Sequence, residues 1–182
     1  RLDAGRRALE AGDHARAEQE LTRAAALFPE YSGGDAPHRL LAVIAEQRGD
    51  AEAAVSHLTQ HVANADTDVP ALLKLAELRA GLGDHGGAAE VLTRAIYVHP
   101  FDPAVHERLA AQYEAAGEHD GVVRARAALV ALTPVDRAEA LYQLARAQHA
   151  AGDDQAARRT VLQALEIAPN YEAAQMLLLQ VR

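Results

Sequence analysis

Apolar and small residues return every three to four positions in stretches long enough to make helices, and the whole pattern then repeats further along. The stretch from Gly83 to Pro100 shows one copy. Ala88, Leu92 and Ala95 fall on one face of a predicted helix, Gly83 and Asp84 open it, and Pro100 ends it. The same glycine–acid pair recurs at Gly12, Gly49, Gly117 and Gly152, so that successive glycines lie 37, 34, 34 and 35 residues apart. Proline follows 17 residues after four of them, at Pro29, Pro100, Pro134 and Pro169. Two helices with a glycine between them and a proline after the second make a unit that must stack on its neighbours to bury its apolar side.

Each unit can be numbered so that its glycine is position 15. Position 7 then reads Ala4, Leu41, Leu75, Leu109 and Leu144, and position 8 reads Gly5, Ala42, Ala76, Ala110 and Ala145. Position 20 reads Ala17, Ala54, Ala88, Val122 and Ala157. Position 24 reads Leu21, Leu58, Leu92, Arg126 and Val161, and position 27 reads Ala24, His61, Ala95, Leu129 and Ala164. This alternation of small and large residues resembles the tetratricopeptide repeat over nearly the whole chain. The resemblance implies an all-α fold, a right-handed solenoid of about five helix-turn-helix units and a final helix.

The units are expected at about 1–31, 35–68, 69–102, 103–136 and 138–171, as one array with a terminal helix over 172–182. The helix pairs are predicted near 2–11 and 14–28, 36–48 and 50–64, 69–82 and 84–99, 103–116 and 118–133, and 135–151 and 153–168. An acid after each glycine should cap the second helix by accepting backbone N–H bonds. The fourth unit departs most. Glu118 is a poorer cap than Asp, Gly121 lowers helix propensity, and Arg126 takes a position that is otherwise apolar, so its second helix is expected to be the softest. Arg1 falls inside a helix and Met176–Leu179 is apolar around much of its circumference, which points to a fragment of a longer chain.

Composition narrows the function. The 182 residues carry a formal charge of −8, which argues against a nucleic-acid surface, since phosphate binding needs clustered cations. Lys74 is the sole lysine against 17 arginines, a bias expected of a GC-rich bacterial coding sequence. Cysteine is absent, which excludes disulfides and thiolate metal sites. No apolar run approaches the roughly 18 residues that span a bilayer, so a soluble chain without membrane insertion is expected, in the cytoplasm ahead of the periplasm.

Nine histidines raise the question of a metal, and His57 with His61 has the i, i+4 spacing that shares a helical face. Two ligands without a third do not make a site. His14, His85 and His119 share one repeat position and His38 and His106 another, which is a structural explanation for them. No phosphate loop, nucleophile elbow or carboxylate pair is present. No catalytic residue, metal or cofactor is assigned.

What the resemblance implies about function is a protein–protein interaction scaffold. Family members line a concave face with positions 2, 5, 9, 12 and 13 of the first helix of each pair, and a peptide or partner helix lies there. Carried over, the partner-binding face comprises Arg39, Val43, Glu46, Leu73, Glu77, Glu107, Ala111, Glu114, Tyr142, Arg146 and His149. Glu77, Glu107 and Glu114 make its middle acidic, which favours a basic or amphipathic partner. The Lys/Asn clamp of chaperone-binding members is missing, because the only asparagines are Asn64 and Asn170. The alternative is an accessory or oligomerisation tail of a larger bacterial multidomain enzyme such as a peptidase, and self-association through the terminal helices is a third expectation.

Overall fold

A computed structural model describes residues 1–132 and 134–181. Among them are eleven α-helices and no strand. Two compact units divide the chain, Arg1–Val98 and His99–Arg182. The first holds α1 (Leu2–Glu10), α2 (His14–Leu27), α3 (Pro37–Gln47), α4 (Ala51–Asn64), α5 (Val69–Gly81) and α6 (His85–Val98). The second holds α7 (Pro103–Ala116), α8 (His119–Ala131), α9 (Arg137–Ala150), α10 (Asp154–Ile167) and α11 (Glu172–Gln180). Thr133 and Arg182, expected to end α8 and α11, lie outside the described residues.

Within each unit the helices pair antiparallel, and each pair packs on the next. The joint is the same each time. Gly12, Gly49, Gly83, Gly117 and Gly152 all have φ between 72° and 82°, the left-handed region that a residue with a Cβ resists. The following acid then turns its N–H back to the helix it has just left, in Asp13→Ala8, Asp50→Ala45, Asp84→Arg79, Glu118→Tyr113 and Asp153→Gln148, each bond 2.9 Å. Its side chain caps the next helix. Asp13 accepts from the Arg16 N–H, Asp50 from Ala53, Asp84 from Gly87 and Asp153 from Ala156. Glu118 makes no such bond, its extra methylene carrying the carboxylate past the N–H groups.

The repeat positions become the core. Ala17, Ala54, Ala88 and Ala157 are fully buried at position 20, as are Ala110 and Ala145 at position 8. Leu21, Leu58, Leu92 and Val161 fill position 24. In the first pair Gly5 takes the position-8 role, and a Cβ there would stand 2.6 Å from Leu21, so the missing side chain is what lets α1 and α2 meet. At the other end Ala145, Ala157, Val161, Ala174, Leu177 and Val181 form one cluster joining α9, α10 and α11.

In the fourth hairpin Gly121 is buried against the ring of Tyr113, and a Cβ there would stand 2.6 Å from ring carbons close to the backbone. Glycine is required by that contact. By contrast, nothing lies within 4 Å of a Cβ placed on Gly86 in α6. Gly121→Ala should therefore lower stability by about 1–3 kcal/mol despite the better helix former, because overpacking outweighs the gain. Gly86→Ala should raise it by up to about 1 kcal/mol, and thermal melts of both variants check the pair of signs.

The histidines with the shared-face spacing part company. His57 Nδ1 lies 3.3 Å from His38 Nδ1 across the α3–α4 contact, whereas the buried His61 places Nε2 2.8 Å from Asp68 Oδ2. No group of three or more metal-ligating side chains forms among the described residues. Burial pushes His38 and His57 below the usual imidazole value of 6.5, and at His38 the neighbouring His57 and His61 add to it. The unfolded chain thus takes up protons first, so the stability these rings contribute is complete above about pH 6.5 and is lost as pH falls below it. The melting temperature should drop by a few degrees between about pH 7 and pH 5.5, and His38→Gln/His57→Gln should flatten that slope. Asp68 contributes in the same sense only lower, below its usual value of 3.8.

Candidate functional site

The residues expected on the partner-binding face fall into two groups, one per unit. In the first, Arg39, Val43 and Glu46 stand on α3 and Leu73 and Glu77 on α5. Lys74 sits among them, 3.1 Å from Glu46 and 3.3 Å from Glu77, and these two bonds raise its pKa. The sole lysine thus offsets Glu77, one of the three glutamates expected to make the face acidic, together with Glu46. Arg39 bonds the Gly34 carbonyl at 3.2 Å and approaches Asp68 at 3.6 Å. Burial acts to raise the Asp68 carboxyl, but the His61 bond, the Ala71 N–H and the Arg39 guanidinium outweigh it and hold it low.

In the second unit Glu107, Ala111 and Glu114 stand on α7, and Tyr142, Arg146 and His149 on α9. Arg126 reaches out of α8 to bond Glu107 at 2.6 Å and Glu114 at 3.4 Å. Its side chain is only 14% exposed, while the two glutamates are 55% and 50% exposed. Its Nε is buried and pairs with no protein atom. Arg146 lies 5.9 Å from the centre of the Tyr142 ring, and that ring meets Tyr171 edge-on at 5.1 Å. His149 is engaged by Asp154 at 2.5 Å.

A cleft of about 760 Å³ opens between α7 and α9 above α8. Of the expected face, Glu107, Glu114 and Arg146 line it, whereas Ala111, Tyr142 and His149 do not. Its floor is Arg126, Leu129 and Leu132, and Pro134, Val135 and Ala140 form an apolar rim. Glu139 closes the α9 wall, accepting from Gln143 at 2.6 Å and from the Tyr171 hydroxyl. Burial pushes the Tyr171 hydroxyl well above its usual value and Glu139 pushes it further, so it stays a donor.

Glu139, Gln143 and Arg126 were not among the residues expected on the face. For Arg126 a signal existed, a charged side chain at a position filled by Leu or Val in the other units. Glu139 carried one too, since it stands at position 2 of the fifth unit, one of the face positions, whereas Gln143 carried none. An arginine at a framework position costs stability, because its desolvation is only partly offset by half-exposed carboxylates. Arg126→Leu should therefore stabilise the chain by about 1 kcal/mol, a rise of about 3 °C in a thermal melt, since the glutamates it leaves remain solvated.

Family models described as tetratricopeptide repeat match residues 2–69, 70–101 and 138–171. The stretch between the last two, 102–137, carries α7, α8 and most of the cleft. No curated protein matches the chain in sequence. Among solved structures, MamA from Desulfovibrio magneticus RS-1 is 21% identical with a TM-score of 0.55, over 81% of this chain and 84% of that one. YrrB, described as a TPR protein with an unusual peptide-binding site, is 14% identical with a TM-score of 0.58, over 94% and 87%. The putative kinesin light chain TPR-like repeats of Podosopora anserina are 23% identical with a TM-score of 0.53, over 91% and 92%. At these identities the shared property is the fold.

Proposed function

The chain belongs to the tetratricopeptide repeat family, and on that premise we propose that it is a protein–protein interaction scaffold that holds a segment of a partner against the first helices of its hairpins. The observation that carries this reading is the cleft of the second unit, an open depression with Leu129 and Leu132 beside Arg126 in its floor and polar walls. Stacking uses positions 8, 20, 24 and 27, so the outward positions of α3, α5, α7 and α9 are free to bind. The surface has the character of a partner site, with apolar area bounded by charged groups already held in place. The peptide-binding site named for YrrB is in keeping with a peptide-like ligand. No helix among the described residues is long and apolar enough to cross a membrane.

Each unit supplies its own patch. In the first, Val43 and Leu73 give apolar surface between Arg39 and the Lys74-bridged glutamates. In the second, Glu107, Glu114 and Arg146 form the walls of the cleft. Because Lys74 and Arg126 neutralise glutamates where they stand, recognition should depend on short-range contact more than on a long-range field. Amide hydrogen exchange with peptides selected from an immobilised 12-residue library tests the reading. Protection is expected in α3, α5, α7 or α9, and protection confined to α4, α6, α8 and α10 would overturn it.

A further inference from the structure

Resting on that reading, we infer that the α7–α9 cleft receives a lysine or arginine side chain from an amphipathic partner segment. The lining carries Glu107, Glu114, Asp136 and Glu139 against Arg126 and Arg146, so acid is in excess. Each wall glutamate is already positioned by a donor of the protein itself. Arg126 engages one oxygen of Glu107 and one of Glu114, two turns apart on α7, and leaves both side chains half exposed toward solvent. Tyr171 and Gln143 hold Glu139 on the opposite wall. Carboxylates held in place lose little freedom when a cation arrives.

The floor decides what carries that cation. Leu129 and Leu132 line the cleft together with the glutamates, and Val135 stands fully exposed at the rim. A purely aliphatic side chain entering here would strip water from the carboxylates without replacing it. A side chain with an apolar stem and a cationic head satisfies floor and walls together. Arg126 shows the match from within, since its own guanidinium is what Glu107 and Glu114 accept from below. The volume of about 760 Å³ accommodates such a side chain with the backbone on either side of it.

The test uses three fluorescein-labelled nonapeptide libraries whose central residue is Lys, norleucine or Glu, with the flanks randomised over Ala, Leu, Ser and Gln. The whole chain is titrated into each at low salt, and bound pools are mapped by hydrogen exchange. The Lys library should bind about tenfold tighter than the norleucine library, with protection in α7 and α9 and weakening as salt rises. Glu107→Gln/Glu114→Gln should abolish that preference. The triple variant that adds Arg126→Leu, which leaves no stranded guanidinium, should do the same. Equal binding of Lys and norleucine pools with α7 and α9 protected would overturn the cation assignment and leave the scaffold reading standing. A preference for the Glu library would overturn it in favour of anion binding by Arg126. If no pool protects α7 or α9, the assignment fails, and absence of protection in α3 and α5 as well removes the scaffold reading with it.

Discussion

Close approach of helix backbones, made possible by small side chains, is the contact on which the rest depends. Ala17, Ala54, Ala88 and Ala157 have no measurable exposure, and Ala42, Ala76, Ala110 and Ala145 on the first helices of their hairpins have almost none. With aromatic residues at only 4% and no tryptophan, large rings contribute little to packing. Dispersion across short interhelical distances has to supply it, and dispersion falls off steeply with any gap. The bond from each Gly-following acid back to the preceding helix sets the angle at which the next helix leaves, so every hairpin presents its small residues to the same place.

The fourth hairpin shows what happens when this contact is relaxed. Arg126 replaces an aliphatic residue, Gly121 yields its side-chain space to Tyr113, and Glu118 leaves the helix start without a side-chain cap. Arg126 and Glu118 each weaken the framework, whereas Gly121 is required by its contact with Tyr113. Together they stand beside the cleft, with Arg126 in its floor and its ion partners on the wall. A framework position given to an arginine is a position withdrawn from apolar packing, and here its guanidinium lines the cleft instead.

Charge on this protein is arranged locally. The overall excess of acid suggests a diffuse attractive field for cations, but Lys74 lies between Glu46 and Glu77, and Arg126 between Glu107 and Glu114. Asp68 alone gathers His61, Arg39 and the Ala71 N–H while it caps α5. Such clusters act within a few ångströms and are screened beyond about 10 Å at ordinary salt. Such charges act at contact range more than at a distance.

Helix order, hairpin joints and the caps at Asp13, Asp50, Asp84 and Asp153 were legible in the sequence, as was the weakness at Glu118. All of these are set by residues within one or two turns of each other, where spacing and residue type suffice. The caps from Asp68, Asp102 and Asp136 to the first helices were equally local but carried no glycine to mark them. What the chain order could not reveal was which side chains meet across helices. His57 turns to His38, nineteen residues away, and leaves His61 to Asp68. Arg126 joins Glu107, also nineteen residues away, and Tyr171 joins Glu139 across thirty-two. The division into two compact units and the opening of a cleft above α8 belong to the same class. Periodicity states which face of a helix is buried, but the reach of a long polar side chain depends on the distance and angle to the neighbouring rod, and these exist only once the rods have packed.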